Sequence, residues 1–310
     1  MVQEQTYTRV FTLEEAMHQA SGHSTKCRFI AGGTDMMVNK FQGNDTTLHF
    51  IDITRIKELK GIYVENNYLR IGALSTLDEL KHSEVIQKEF PLLLEAAHSV
   101  GSPLIRRTAT LGGNILCENR CIYFNQSEWW REAVGYCLKC SGNVCIATGG
   151  KKACFSEFAS DTAPALISMH AQVKLLSTEG ERLIPLEDLY SGDGVKPKTI
   201  DNSTILAEIR LPLYQNFKYA FKKLRLRESL EFTSLTTAVC LNDHDRLRIV
   251  LGGIDPKPIV IDAKRDDDKE ELIKTALKKG RAVENDMFSR SYRREMIRVF
   301  LTNCFKHIET

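Results

Sequence analysis

The sequence predicts an α+β protein with more than one domain. Its 310 residues exceed the length of about 100–200 residues typical of one domain. An apolar content of 43% with 26% charged residues is ordinary for a globular chain and argues against disorder. Short strands and helices alternate in the N-terminal part, whereas the last third shows several strands followed by two amphipathic helices. That ordering predicts a separate C-terminal α+β domain.

The first elements follow from local signals. Thr12 and Glu15 form a capping box that predicts the start of a helix. Two short apolar strands are predicted in CRFIA and LHFIDI, the first running into a glycine turn. A hairpin is predicted in IYVENNYLRIGA, with its turn at Asn66 and Asn67. Helices are then predicted in STLDELKHS and FPLLLEAAHSV.

The later elements are separated by two segments without periodicity. GSPLIRRTATLGGN predicts a Gly/Thr-rich loop, and residues 191–204 predict a linker or a long surface loop. Between them, a helix, a strand and a hairpin are predicted in DTAPALISMHAQVKLLS and STEGERLIPL. Strands are predicted last in YAFKKLRLRE, LTTAVCLN and LRIVLGGI, followed by helices in KEELIKTALKKG and SYRREMIRVFLTNCFKHI.

Charge and terminal composition exclude several classes of partner. A net charge of +2 provides no charged surface for nucleic acid or an anionic membrane. The N-terminal residues lack the pattern of a signal peptide, and no segment has the roughly 18 uncharged apolar residues of a membrane span. We therefore expect a cytoplasmic protein that binds neither nucleic acid nor a membrane. In a reducing compartment, its nine cysteines predict thiolate ligation or redox chemistry rather than disulfides.

Two glycine pairs share one pattern, at residues 31–35 (AGGTD) and 110–114 (TLGGN). Paired glycines let backbone N–H groups approach an anion, and an adjacent Thr or Asp can bond a phosphate or a ribityl hydroxyl. One such pair is usually ordinary turn chemistry, but two in one domain indicate a long cofactor with a central pyrophosphate. Neither matches the Rossmann fingerprint or a P-loop, so a different dinucleotide-binding fold is predicted.

Residues 117–154 hold six of the nine cysteines and both tryptophans. A structural zinc site usually has paired cysteine knuckles or nearby histidines, and the nearest histidine is His170, outside this segment. The one C-x2-C pair, Cys137 and Cys140, lies in the Gly-rich GYCLKCSGN and not at a strand-to-helix turn, which argues against a thioredoxin-like pair. An iron–sulfur cluster requires four thiolates on an enclosing loop. The spacing alone leaves zinc and iron–sulfur both open.

Five segments together carry a family resemblance: FIAGGTDMM, LRIGALSTLDEL, TLGGNI, SDTAPAL and YAFKKLRLRE. In this order they resemble the flavin-binding medium subunit of the molybdenum hydroxylases, the xanthine dehydrogenase and carbon monoxide dehydrogenase family. The resemblance covers nearly the whole chain and implies a PCMH-type FAD-binding domain over 1–204. That domain would have two subdomains, about 1–55 and 56–204, with FAD between them, and 205–310 would form the C-terminal flavoprotein domain.

The resemblance also implies the residues that bind FAD. Asp161 matches the aspartate of the family's SD motif, and Lys223 matches the lysine of its F-x-K pattern. Main-chain donors suit a pyrophosphate, an aspartate suits sugar hydroxyls, and a lysine near the ring favours reduced anionic flavin. Lys223 has an alternative interpretation as a solvated charge on an edge strand. The remaining implied FAD contacts are Ile30, Ala31, Gly32, Gly33, Thr34, Asp35, Met36, Thr110, Gly113 and Asn114.

The cysteine-rich insert, about 117–157, separates the TLGGN and SD motifs, and it resembles the 4-hydroxybenzoyl-CoA reductase branch of the family. There the insert binds a 4Fe-4S cluster, which implies four ligands here, Cys121, Cys137, Cys145 and Cys154. Cys117 and Cys140 would be spare thiols, and whether either replaces its neighbour stays open. Trp129 and Trp130 either pack the insert and shield the cluster or line an electron path.

The implied function is electron transfer by an FAD and 4Fe-4S subunit of a multi-subunit molybdenum enzyme. Its partners would be a large subunit with the molybdenum cofactor, a 2Fe-2S small subunit and a ferredoxin-like carrier, in a dimer of heterotrimers. Within that branch, the complex converts 4-hydroxybenzoyl-CoA to benzoyl-CoA. Two alternatives remain: a complex acting on another aromatic, N-heterocyclic or aldehyde substrate, and a flavin-free scaffold with structural zinc. No catalytic acid, base or nucleophile is predicted on this chain.

Overall fold

The chain mixes short helices with three separate sheets. Residues 5–22, 26–213 and 216–309 are described by the computed structural model. The strands are β1 Thr6–Arg9, β2 Cys27–Ile30, β3 His49–Asp52, β4 Ile62–Glu65, β5 Tyr68–Gly72, β6 Gln172–Ser177, β7 Gly180–Pro185, β8 Ile205–Pro212, β9 Phe217–Leu224, β10 Leu235–Asn242, β11 Arg246–Gly252 and β12 Ile259–Lys264. The α-helices are α1 Leu13–Gly22, α2 Met36–Phe41, α3 Glu84–Glu89, α4 Pro91–His98, α5 Pro103–Arg106, α6 Leu111–Ile115, α7 Glu128–Val134, α8 Thr162–Ser168, α9 Lys269–Lys279 and α10 Arg290–Glu309. The predicted α+β class is confirmed.

Each sheet has its own topology. The N-terminal sheet is parallel with the order β1-β3-β2, and the next is antiparallel with the order β4-β5-β8-β6-β7. The C-terminal sheet is antiparallel with the order β12-β11-β10-β9, and α9 and α10 pack with it around one apolar core. Helix α8 is completely buried, and the largest core joins it to both antiparallel sheets. This helix therefore links the two halves of the chain.

Several local predictions are confirmed. The Glu15 N–H donates to Thr12 Oγ1 at 3.1 Å, while the Glu15 carboxylate accepts from the Phe11 N–H at 2.7 Å. Asn66 and Asn67 have φ angles of 51° and 62°, the left-handed region that asparagine tolerates in two-residue hairpin turns. The strand–turn, hairpin and C-terminal helix predictions therefore match the observed elements.

One prediction of an irregular segment is wrong, and one predicted helix is of the 3-10 type. The segment GSPLIRRTATLGGN contains α5 and α6, whose first turns are capped by Ser102 and Thr110. Serine or threonine caps and Pro103 at a first helical position are helix-start signals, which the paired glycines obscured. The helix predicted in STLDELKHS is a 3-10 helix, Glu79–His82, followed by α3.

Strand β8 lies between β5 and β6 in the five-stranded sheet, so this sheet continues beyond residue 204 to Pro212. The domain division at residue 204 stays a prediction, and the sheet places β8 with the preceding residues. Within the described ranges, no helix is long and apolar enough to cross a membrane.

Candidate functional site

A cavity of about 870 Å³ lies beside the end of β2 and is lined by both glycine turns. Part of its wall comes from residues 195–202, within the segment that the sequence predicts as a linker or surface loop. That segment has no periodicity, so its position in a cavity wall was not predictable. The sequence-predicted residues that line the cavity are Ile30, Ala31, Gly32, Gly33, Thr34, Asp35, Met36, Thr110, Gly113, Asn114 and Asp161.

The first glycine turn brings two backbone segments into close approach. A Cβ atom on Gly32 would lie 2.0 Å from the carbonyl oxygen of Thr108, so a larger residue cannot fit without displacing backbone. Gly33 has a φ angle of +67°, which favours glycine. Among the hydrogen bonds of the described residues, none is donated by the backbone N–H groups of Gly32, Gly33 and Thr34. These donors and the space that a Cβ would fill suit the pyrophosphate of a dinucleotide.

The second glycine turn is tied to the SD motif. Thr110 Oγ1 accepts from the Gly113 N–H at 3.0 Å and caps α6. The Asn114 Oδ1 atom accepts from Ser160 Oγ at 2.9 Å and from Thr162 Oγ1 at 2.6 Å. Asn114 therefore fixes the start of α8 next to the cavity.

Asp161 and Lys223 form a buried ion pair. Lys223 Nζ donates to Asp161 Oδ2 at 2.7 Å, and the Lys223 and Asp161 side chains are only 4% and 5% exposed, respectively. The same ammonium group donates to the carbonyl oxygens of Ser99 at 3.0 Å and Glu231 at 3.1 Å. Burial raises the pKa of Asp161, while Lys223 opposes that rise. Lys223 is not a solvated edge charge, and it supports Asp161 without lining the cavity itself.

Arg120 is a cavity residue that sequence reasoning missed. Its guanidinium pairs with Asp35 and lies over the ring of Phe232, 4.2 Å from the centroid. Asp35 also accepts from the Glu118 N–H at 3.0 Å. Arg120 stands in CENRC at the start of the cysteine-rich insert, so only the spatial contact reveals its connection to the first glycine turn.

The base of the insert is closed by its own backbone. Arg120 and Glu157 exchange backbone hydrogen bonds of 2.9 and 2.6 Å. Asn285 donates to the Phe155 carbonyl at 2.6 Å, and Arg293 pairs with Glu157 at 2.5 Å. Arg293 is fully buried, although it stands in the basic stretch SYRREMIR. The C-terminal segment therefore anchors the insert.

The six thiols of the insert differ in position. Cys117 lines the cavity, and burial raises its pKa to about 12. Burial also raises the pKa of Cys121 to about 12, and the charge of Cys154 adds to that rise. Burial likewise raises the pKa of Cys154, and the charge of Cys145 adds to it. Cys154 thus lies within electrostatic reach of both Cys121 and Cys145. The three cysteines outside the insert are buried: Cys27, Cys240 and Cys304.

The pair Cys137 and Cys140 has an Sγ–Sγ distance of 3.9 Å. That distance is close to the edge of a ZnS₄ tetrahedron, about 3.8 Å for a Zn–S bond of about 2.3 Å. A four-iron cluster binds each thiolate on a different iron atom, so only one of these two thiols suits it at this separation. In the part of the chain that the structure describes, no group of three or more His, Cys, Asp or Glu could hold a metal ion. The soft donor set alone suits zinc or iron–sulfur chemistry.

The two tryptophans have different environments. Trp129 is 75% exposed, whereas Trp130 is half-buried. The expectation that both pack the insert is therefore wrong for Trp129.

Comparison with known proteins relates this geometry to a family. The family described as "FAD binding domain in molybdopterin dehydrogenase" matches residues 2–214. The aldehyde oxidoreductase FAD-binding subunit of Escherichia coli strain K12 is 30% identical over 267 residues, covering 83% of this chain and 84% of that protein. The nicotinate dehydrogenase FAD-subunit of Eubacterium barkeri is 30% identical over 242 residues, covering 76% and 67% respectively.

Solved structures share the fold over nearly the full length. A chain of carbon monoxide dehydrogenase from Hydrogenophaga pseudoflava has a TM-score of 0.77 at 19% identity, covering 100% of this chain and 99% of that one. A chain of quinoline 2-oxidoreductase from Pseudomonas putida 86 has a TM-score of 0.74 at 15% identity, covering 98% and 97%. These likenesses confirm the predicted fold. Because the family match extends over residues 2–214 and a relative is 30% identical across 83% of the chain, this chain belongs to the family of molybdopterin dehydrogenase FAD-binding domains.

Proposed function

We propose that the cavity binds FAD and that this chain is the flavoprotein subunit of a molybdenum hydroxylase-type oxidoreductase complex. The observation that carries this proposal is that two glycine turns, distant in sequence, line one cavity, and that the N–H groups of residues 32–34 in the first turn donate no hydrogen bond within the described chain. Bound FAD would supply hydride and electron transfer, while the protein supplies binding and orientation. The N–H groups of residues 32–34 would hold the pyrophosphate, and Asp161 would accept from a sugar hydroxyl.

In this proposal, Lys223 acts through Asp161. Its ammonium group holds the carboxylate at 2.7 Å and opposes the rise in the Asp161 pKa that burial causes, which favours the carboxylate as a hydrogen-bond acceptor for the ligand. Asp35 has a similar role for the glycine turn, because it holds both Arg120 and the Glu118 backbone. The cofactor contacts would therefore be supported by a second layer of paired charges.

The proposed partners are a large subunit with the molybdenum cofactor and a small 2Fe-2S subunit. Relatives of this chain are named FAD-binding subunits or medium chains of aldehyde oxidoreductase, xanthine dehydrogenase and carbon monoxide dehydrogenase, and these names support a subunit role. We further propose a ferredoxin-like carrier and a dimer of heterotrimers. Both rest on the resemblance of the insert to the 4-hydroxybenzoyl-CoA reductase branch.

A 4Fe-4S cluster is proposed for the insert, on Cys121, Cys137, Cys145 and Cys154. The support is a soft donor set without histidine and the electrostatic interaction of Cys154 with both Cys121 and Cys145. Cys117 lines the flavin cavity, which favours Cys121 as the ligand of that pair. The 3.9 Å separation of Cys137 and Cys140 allows only one ligand from the second pair.

The substrate proposal depends on that cluster. If the insert holds 4Fe-4S, the favoured reaction of the complex is reductive removal of the phenolic hydroxyl of 4-hydroxybenzoyl-CoA. A second candidate is oxidation of an aldehyde or an N-heterocycle, which the names of the aldehyde oxidoreductase and nicotinate dehydrogenase relatives favour. The substrate would bind to the large subunit in both cases.

A spectrum with metal analysis tests the proposal. We expect flavin bands, a broad iron–sulfur absorption bleached by dithionite, and about four iron atoms and four acid-labile sulfides per chain. Flavin without iron would retain the flavoprotein role and contradict the cluster. A colourless protein that contains zinc would contradict both and support the scaffold alternative.

A further inference from the structure

Three cations share one carboxylate at the wall of the cavity. The carboxylate belongs to Glu118, which lines the cavity and whose N–H donates to Asp35 of the first glycine turn at 3.0 Å. It is contacted at 3.0 Å by Arg28, at 3.5 Å by Lys139 and at 3.9 Å by Lys198. This charge group is therefore attached directly to the turn whose N–H groups would hold the pyrophosphate.

The charges of the group do not cancel. Among the described residues, Asp45 is the only other carboxylate that pairs with these cations, and it holds Arg28 at 2.7 Å. Three positive charges thus face two negative ones, those of Glu118 and Asp45. The nearby Cys117 thiol adds no negative charge at neutral pH, because burial raises its pKa to about 12. A buried excess of positive charge is costly unless an anionic group lies nearby.

Lys198 is the least compensated of the three cations. Its side chain is 11% exposed, and its Nζ has the longest of the three contacts with Glu118. Burial lowers the pKa of Lys198, and Glu118 opposes that fall without reversing it. Its one hydrogen bond among the described residues goes to the Cys117 carbonyl oxygen at 2.6 Å. An ammonium group has three N–H donors, so Lys198, which lines the cavity, can also donate to a ligand there.

The other two cations are not available in the same way. Arg28 also lines the cavity, but one terminal nitrogen atom is held by Asp45 and the other by Glu118. Lys139 is absent from the cavity wall, and its Nζ lies 5.0 Å from the centroid of the Phe124 ring. The excess charge therefore meets the cavity at Lys198.

We infer that Lys198 is a further cofactor-binding residue, which binds the pyrophosphate of FAD together with the N–H groups of residues 32–34. This inference rests on the FAD proposal above. Oxidised FAD carries its negative charge on the pyrophosphate, so that part of the cofactor is the one that an excess cation favours. A hydrogen bond from an ammonium group to a phosphate oxygen is charge-assisted and stronger than a neutral one.

The test compares the binding of FAD and riboflavin to the full-length chain freed of flavin, measured by flavin fluorescence. Riboflavin has the same ring and ribityl chain but no phosphate, so its binding reports whether the rest of the site is intact. We expect Lys198→Gln to raise the dissociation constant of FAD about tenfold and that of riboflavin less than about twofold. Lys198→Arg keeps the charge and should restore most of the FAD affinity.

Two lysine variants serve as controls. Lys139→Gln removes a cation from the same carboxylate outside the cavity wall, and Lys151→Gln removes an exposed charge of the insert. Both should change the dissociation constant of FAD less than about threefold, because neither lysine lines the cavity.

The outcomes separate this inference from the proposal beneath it. A wild-type chain that binds neither flavin would contradict the FAD proposal and, with it, the role of Lys198. If the wild type binds FAD and Lys198→Gln weakens FAD and riboflavin by the same factor, or leaves both unchanged, the inference alone is overturned. If Lys198→Gln does not fold, Glu118→Gln decides. That variant enlarges the excess positive charge and should bind FAD more tightly, and an FAD affinity that is unchanged or lowered relative to that of riboflavin refutes the role of this charge group.

Discussion

Replacing Gly32 by alanine tests the close approach that forms the cavity. The added Cβ would lie 2.0 Å from the Thr108 carbonyl oxygen, whereas ordinary contacts begin at 3.4 Å. The obstacle is backbone on both sides, so no side-chain rotation relieves it. The turn at residues 31–35 must then move away from the segment leading into α6 by more than an ångström.

The expected loss of stability in Gly32→Ala has two sources, the steric clash and weaker FAD binding. Overpacking at a fixed backbone contact costs about 1–3 kcal/mol of stability. Movement of the turn also misplaces the N–H donors of residues 32–34, so FAD affinity should fall. With FAD at 100 times its dissociation constant, loss of binding removes a further ~2.7 kcal/mol of apparent stability.

The measurements are the FAD content per chain and the free energy of unfolding in denaturant, with and without added FAD. Gly22→Ala is the matched control, because no atom of the described chain lies within 4 Å of the added Cβ and glycine-to-alanine exchange in a helix stabilises by about 0.4–1 kcal/mol. If Gly32→Ala retains one FAD per chain and unfolds like the wild type, the backbone approach does not form the flavin site.

Three further predictions follow from the paired charges and the thiols. Asp161→Asn should lower the free energy of unfolding by about 3–5 kcal/mol, because it leaves the Lys223 ammonium buried with carbonyl oxygens alone. The double variant with Lys223→Met should recover part of that loss. A loss below about 1 kcal/mol in denaturant unfolding would contradict the role of the buried pair. Cys145→Ser and Cys154→Ser should remove iron and leave FAD bound, while Cys117→Ser and Cys140→Ser keep both; iron loss in Cys140→Ser with retention in Cys137→Ser would reverse the assignment. Burial raises the pKa of Asp52, but hydrogen bonds from Thr54, Tyr7 and Arg9 outweigh it and lower that pKa to about 2. The depressed pKa stabilises the folded chain at neutral pH, and this contribution is lost as the pH falls from about 4 to about 2. The free energies of unfolding of the wild type and of Asp52→Asn, plotted against pH, should therefore converge over that window. A constant difference between the two would refute the linkage.

Signals that lie within one short segment were predictable from the sequence. The capping box at Thr12, the hairpin at Asn66 and Asn67, and both C-terminal helices depend on neighbouring residues, and the structure matches them. The two glycine turns were also identifiable, because a glycine pair after an apolar stretch marks a close approach of backbone. Their meeting in one cavity followed from the family resemblance and not from any local rule.

Interactions between distant segments were not predictable. Arg120 pairs with Asp35 from 85 positions away, and all four strands of the C-terminal sheet lie in sequence between Glu157 and its partner Arg293. Composition alone presents such arginines as solvated charges, since Arg is mostly exposed in proteins. Residues 195–202 carry no periodic pattern, and only tertiary packing places them in the cavity wall.

The glycine turn and the cysteine insert share one anchoring residue. Asp35, within the first turn, holds the Arg120 side chain and the Glu118 N–H, and these two residues flank the start of the insert. Glu118 in turn contacts Lys139, which stands between Cys137 and Cys140 in sequence, so paired polar groups connect the cavity to the insert. A displacement at either site therefore alters the charges that face the other. This continuity fixes the start of the insert in position relative to the first glycine turn.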